Sequence, residues 1–184
     1  MSGNARDFRF GLATAAIVTT VAIRSAPAAP ITGFTPGDLV ISTVSYSVSA
    51  AVCDSISGGL DTVSPITLQE YQLAGGTAAK PVGASTLPQT SLGSNSAISG
   101  EYGSASEGFL QRSADGRYLT IMGYGVNAAT FNNAPPSTYG TAALGQTTSL
   151  TGTVYITVPR VVALIGANGS VDTSTALTGG VQYK

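Results

Sequence analysis

The sequence contains no histidine, no tryptophan and a single cysteine, Cys53. Without an imidazole there is no Ser-His-Asp triad, no His-ligated zinc and no histidine base. One cysteine excludes an internal disulfide framework and a thiolate metal cluster. Charge is scarce as well. Charged residues are 9% of the 184, against about 25% in an ordinary soluble domain. Eight Lys and Arg at a net charge of −1 exclude the basic stripe that displaces counterions from nucleic acid. Several motifs are missing. There is no G-x-S-x-G elbow, no S-x-x-K pair, no phosphate-cradling glycine loop and no D-x-D-x-D-G calcium loop. No cofactor is implied. In place of charge the chain carries 23 Gly and many Ser and Thr, while hydrophobic residues stay at 43%.

Only one stretch is long and apolar. Gly11 to Ile23 is an uncharged run of thirteen residues, preceded by Arg6 and Arg9 and followed by Ala26-Pro27-Ala28. Basic start, apolar run and small-x-small site form the pattern of a secretory signal. As a helix the run would span ~20 Å, short of the ~30 Å hydrocarbon core. The expectation is a signal peptide at 1–28 and an exported domain at 29–184, secreted or in the cell envelope, with no stable membrane span after cleavage. Losing Arg6, Arg9, Arg24 and Asp7 leaves five basic and eight acidic groups, a net charge of −3. An oxidising destination suits a chain with almost no thiols. Cys53 follows Ala50-Ala51-Val52 and reads as a buried free thiol; pairing with another chain is the alternative.

No segment beyond residue 30 keeps a period near 3.6. Short runs rich in β-formers recur instead, separated by Gly, Asn, Asp, Pro and Ser, which is the pattern of an all-β domain built from antiparallel hairpins. Asp38 to Val44 reads as a strand after the turn Pro36-Gly37. Ile66 to Leu73 reads as another, with Pro65 at its first position or on an edge and Lys80 to Leu87 returning as its partner. Phe109 to Arg112 and Arg117 to Met122 flank Asp115-Gly116, a hairpin signal because both turn residues tolerate positive φ. Val154 to Ile165 and Val171 to Leu177 flank Asn168-Gly169 in the same way. Ser91 to Gly103 and Asn127 to Gly152 read as loops, the second long enough to suggest a functional one.

Ser113-Ala114-Asp115-Gly116-Arg117-Tyr118-Leu119 resembles the S-x-D-G-R-Y-L hairpin of secreted bacterial β-propellers, including TolB-like and YVTN-type repeats. Pro36-Gly37-Asp38-Leu39-Val40, Leu68-Gln69-Glu70-Tyr71 and Ser106-Glu107-Gly108, in that order, are similar to a group of uncharacterised exported propeller-type proteins. The resemblance implies a partial or incomplete propeller, with Phe109 to Leu177 as one four-stranded blade. A closed propeller needs at least 4 blades and only one or two fit here, so the chain reads as the N-terminal piece of a longer protein. Its partners would be the remaining blades or an oligomer. A β-sandwich is the alternative architecture.

Candidate side chains are few. Alternation puts Glu70 on the face of Ile66 and Leu68, and Arg112 on the face of Leu110. If those faces are buried, each charge needs a partner. Glu107 and Arg160 lie on or beside strands in the same way. Two or more of Glu70, Glu107, Arg112 and Arg160 are expected to pair within the fold, unless they simply sit on exposed faces. Asp115, Gly116, Asn168 and Gly169 are assigned to turns, and Asp38, Asp54 and Asp61 to solvated loops. Tyr102, Tyr118, Tyr124 and Tyr139 are the residues able to stack on sugars. Three functional readings stay open: a non-enzymatic scaffold or interaction domain with a protein or glycan ligand, a carbohydrate-binding or glycan-active propeller using carboxylates and tyrosines, and an adhesin-like sandwich. Two acids and a tyrosine converging in one pocket would favour the second.

Overall fold

The computed structural model describes residues 29–44, 63–73, 79–101, 108–134, 136–139 and 157–177. Residues 1–28, where a signal peptide is expected, Cys53, Glu107 and the last residues lie outside these. The described chain is all-β, with one curled sheet of nine strands. In chain order the strands are β1 (Ala29–Pro30), β2 (Leu39–Val44), β3 (Val63–Gln72), β4 (Lys80–Thr86), β5 (Ser99–Glu101), β6 (Gln111–Arg112), β7 (Tyr118–Tyr124), β8 (Arg160–Gly166) and β9 (Val171–Leu177). Every pairing is antiparallel except β1 with β4.

β3 is the strand from which the sheet turns. Its first three residues pair with β5, and from Ile66 onward it pairs with β2 and β4. Pro65, expected to open a strand or lie on an edge, is instead its third residue and faces Ser99. The position is tolerable because β3 changes partners there, so a missing N–H interrupts no continuous ladder. β5 carries the sheet on to β7, and β7, β8 and β9 follow as a meander. The run from Phe109 to Leu177 contributes the antiparallel series β6–β7–β8–β9, and β5 joins it to the rest of the sheet.

Alternation along the strands builds the core. Ile66 and Leu68 of β3 meet Ile121 of β7 and Val161, Ala163 and Ile165 of β8, with Leu87 and Ile98 filling between. Two glycines permit the close approach. A Cβ on Gly123 would lie 2.7 Å from both Ile98 Cγ1 and the Ser99 carbonyl oxygen, and one on Gly100 would lie 2.7 Å from Val44 Cγ2.

The open side of the curl is bridged by two irregular segments. The first is a strap over residues 29–35. It pairs with the β4 edge, lays Ile31 and Phe34 on the core, and donates the Phe34 N–H to the Ala167 carbonyl at 2.8 Å in the β8–β9 turn. The second is the loop 88–98. Asn95 Oδ1 accepts the Thr173 N–H at 2.8 Å, and the Thr173 hydroxyl donates to the Ser96 carbonyl at 2.7 Å. Thr173 is fully buried. It lies where the β8–β9 register slips, and such a slip turns a backbone group out of the ladder. Thr173→Val keeps the shape but leaves the Ser96 carbonyl short of a donor. It should lower stability by about 1–3 kcal/mol, read from the urea midpoint at unchanged m-value.

Both stretches expected as plain loops contain regular structure. The first ends in β5. The second opens with helix α1 (Ala128–Asn133), followed by α2 (Pro136–Tyr139). Asn127 caps α1, accepting the Thr130 N–H at 2.8 Å, as an Asn at that position does. Six residues are too few to display a period, which is why the helix escapes a pattern search.

Candidate functional site

The polar side chains collect in three places. The first lies under the strap. Glu70, on the same face as Ile66 and Leu68, is only 4% exposed. Its Oε1 accepts the Thr35 N–H at 2.6 Å, so the carboxylate fastens the strap from below. Charge-assisted bonds of this length are the stronger kind. Gly83, opposite Glu70 on β4, leaves room for Ile31 and the carboxylate together: a Cβ there would lie 2.8 Å from Ile31 Cγ1 and 3.5 Å from Glu70 Oε2. Arg112 is far from this point in the sheet, exposed on β6. Among the described residues Glu70 and Arg112 do not meet.

The second place is on the opposite face of the sheet. Tyr124 and Arg160 face each other across β7 and β8, with the guanidinium 3.8 Å above the ring centroid. The Tyr124 hydroxyl donates to Glu101 Oε2 at 3.3 Å. Tyr124 is 1% exposed and Arg160 8%, because α1 and α2 cover them with Val63, Val126, Ala128, Val158, Phe131 and Tyr139. Asn132 of α1 grips both backbone groups of Val63, at 3.1 and 2.8 Å. Gln89 joins this patch to the 88–98 loop, taking the Ala128 N–H at 3.1 Å and donating to the Ile98 carbonyl at 2.7 Å. A guanidinium over a desolvated tyrosine ring is favourable by about 2 kcal/mol.

The third place is the β6–β7 turn. Gly116 has φ +72°, and its N–H reaches the Ser113 carbonyl at 2.9 Å. Gly116 of the Asp-Gly pair takes a positive φ, and the bend spans residues 113–118 rather than two residues. The reason is side-chain capture. Asp115 Oδ1 accepts from the Ser113 hydroxyl at 2.6 Å and the Arg117 N–H at 3.1 Å, while the Ser113 hydroxyl oxygen accepts the Tyr118 N–H at 3.0 Å. The β8–β9 turn repeats the device. Gly169 has φ +77°, and Asn168 Oδ1 accepts the Ser170 N–H at 3.1 Å. Both bends are closed by a left-handed glycine whose N–H reaches a carbonyl three residues back.

The Ser113 hydroxyl, then the Arg117 N–H, holds the Asp115 carboxyl below its ordinary value of 3.8. The Ser174 N–H and hydroxyl do the same for Asp172. Both groups are depressed in the folded state, so their contribution is complete above the ordinary aspartate value and is lost as pH falls through the folded one. Asp115→Asn with Asp172→Asn should therefore lower stability at pH 6, where the charged carboxylates contribute, and flatten the decline below pH 3.8, so that variant and wild type converge at the acid end. Urea midpoints across pH 3–6 check this.

The tyrosines proposed for sugar contact separate. Tyr124 is buried beneath Arg160, which corrects its assignment as a stacking surface, since its ring is already covered. Tyr139 packs on Phe131 with centroids 4.6 Å apart. Tyr118 stays 38% exposed, and Tyr102 lies outside the described residues. The described acids do not converge. Asp38, Asp115 and Asp172 lie in or beside turns, Glu70 is buried alone under the strap, and Glu101 sits at Tyr124. Among the described residues no three His, Cys, Asp or Glu gather as a metal site, and no helix is long and apolar enough to cross a membrane.

Sequence reasoning did not single out Gln89, Asn95, Asn132 or Thr173. Asn127 before Ala-Ala-Thr carried a cap signal; the others act through contacts distant in the chain, which leave no local trace. No protein-family model, no curated protein and no solved structure matches the chain.

Proposed function

We propose that the chain is an extracytoplasmic, non-enzymatic all-β scaffold or interaction domain. The observation that carries this reading is the use made of its polar side chains. Glu70, Gln89, Asn95, Asn132 and Thr173 are all engaged in holding backbone groups across the curl. Asp115 and Asp172 are engaged in turns. A catalytic group must instead point at a reacting atom. The signal pattern at 1–28 supports the location. A sandwich-like arrangement is favoured over a blade by one feature, the sharing of β3 between two sets of partners around a common core.

The test is export of the full chain in a bacterial host with sequencing of its N-terminus. Recovery outside the cytoplasm with Ala29 as first residue, and no turnover of a glycan and ester panel, is the expected result. Retention in the cytoplasm with Met1 intact, or turnover of any panel member, would contradict the reading.

A further inference from the structure

Exposed cations are rare on this molecule. Among the described residues they are Lys80, Arg112 and Arg117, since Arg160 is buried. Two of the three stand at the β6–β7 bend. Beside them Tyr118 is 38% exposed and Phe109, which leads into β6, is 65% exposed. Arg and aromatic residues together are the composition that marks binding surfaces.

The bend holds these groups in place. Arg117 lies over the Tyr118 ring, 5.8 Å from its centroid. Arg112 folds across the turn because residue 116 has no side chain: a Cβ there would be 3.0 Å from the Arg112 Cζ. Asp115, the acid between them, directs its Oδ1 at Ser113 and the Arg117 N–H inside the turn. Two guanidinium forks and a ring are thus presented by a bend that its own hydrogen bonds keep rigid, so little ordering is needed on binding.

We propose that this tip binds an anionic polysaccharide, with Arg112 and Arg117 taking sugar carboxylates and Tyr118 stacking on the apolar face of a ring. The proposal deepens the interaction-domain reading and rests on it. Guanidinium groups match carboxylates in two-point geometry. A polymer with one carboxylate per sugar suits two guanidinium forks on one bend, because neighbouring units rebind when one lets go. The chain as a whole is acidic, so general attraction to polyanions is absent and attachment must come from a local cationic spot.

The experiment is affinity electrophoresis and titration of the full chain with polygalacturonate, neutral dextran, poly-L-glutamate and phosphatidylglycerol vesicles. Polygalacturonate should retard the protein, more strongly at low salt, and the other three should retard it weakly or not at all. Arg112→Gln with Arg117→Gln should weaken the attachment by about tenfold or more, as expected for loss of charge-assisted bonds. Lys80→Gln, at the far end of β4, should leave it unchanged, and circular dichroism should report the same fold for every variant. No retardation of the wild type, equal retention of the double variant, equal loss in Lys80→Gln, or equal or tighter attachment to polyglutamate or vesicles would each overturn the proposal. Reducing ends are measured in the same samples. Their release with binding intact would sink the non-enzymatic reading and leave the tip assignment standing. Absent binding without release would do the reverse.

Discussion

Tyr124→Ala will lower the unfolding free energy by about 3–5 kcal/mol, the range for removing a large buried aromatic. The ring is the centre of the second core. It lies under α1, carries the Arg160 guanidinium 3.8 Å above it, and directs its hydroxyl to Glu101. Its loss leaves a cavity and strips the buried cation of its apolar cover. Tyr124→Phe keeps the ring and loses only one hydrogen bond, so it should cost about 1 kcal/mol. The contrast separates packing from polar contact. An alanine variant within about 1 kcal/mol of wild type in urea unfolding would mean that the helices do not pack on this face.

Gly123→Ala is the second large effect, and it acts by crowding. The added methyl would meet Ile98 Cγ1 and the Ser99 carbonyl oxygen, both at 2.7 Å. Ile98 is fully buried, and Ser99 is fixed by pairing with Tyr124 and with Pro65. Neither can retreat without opening the link between β3 and β7. Overpacking of this kind costs about 1–3 kcal/mol and occasionally more; the rigid carbonyl places this case at the upper end. Gly93→Ala is the control. It has φ +60° but nothing within 4 Å of its Cβ position, so it pays only the left-handed backbone cost of about 1–2 kcal/mol. Equal midpoints for the Gly123 variant and wild type would contradict the packing.

The strands were legible because their signals are local. Leu39 to Val44, Ile66 to Gln72, Tyr118 to Met122 and Val171 to Leu177 alternate or run apolar between turn residues, and each turn glycine marks its bend. The face that Glu70 shares with Ile66 and Leu68 also followed from alternation, while its burial there depends on the strap laid over it. The partner of Glu70 did not follow. The Thr35 backbone N–H is 35 residues away and carries no side-chain signal. The closing contacts escape for the same reason. Asn95 and Thr173 lie 78 residues apart, and a lone Asn in a Ser/Gly-rich loop looks like any other. The sequence places Arg160 only on or beside a strand, as one candidate for a paired charge. Only the helix folded over its face of the sheet buries it, and the helix is too short to read. Of the candidate site, the bend at Asp115-Gly116 was visible in the sequence; the way Gly116 admits Arg112 across it is a contact of the folded turn that leaves no local pattern.

The central claim is that the curled sheet is closed on its open side by the strap and the 88–98 loop. Amide hydrogen exchange resolved by residue tests it most directly, at three positions outside regular ladders: Phe34, bound to Ala167, Thr35, bound to Glu70, and Thr173, bound to Asn95. The account predicts that all three exchange as slowly as core amides of β7 and β8, and that Thr173 stays protected until global unfolding. Exchange of these amides at the rate of an open loop, with β7 and β8 still protected, would show that the sheet lies open on that side.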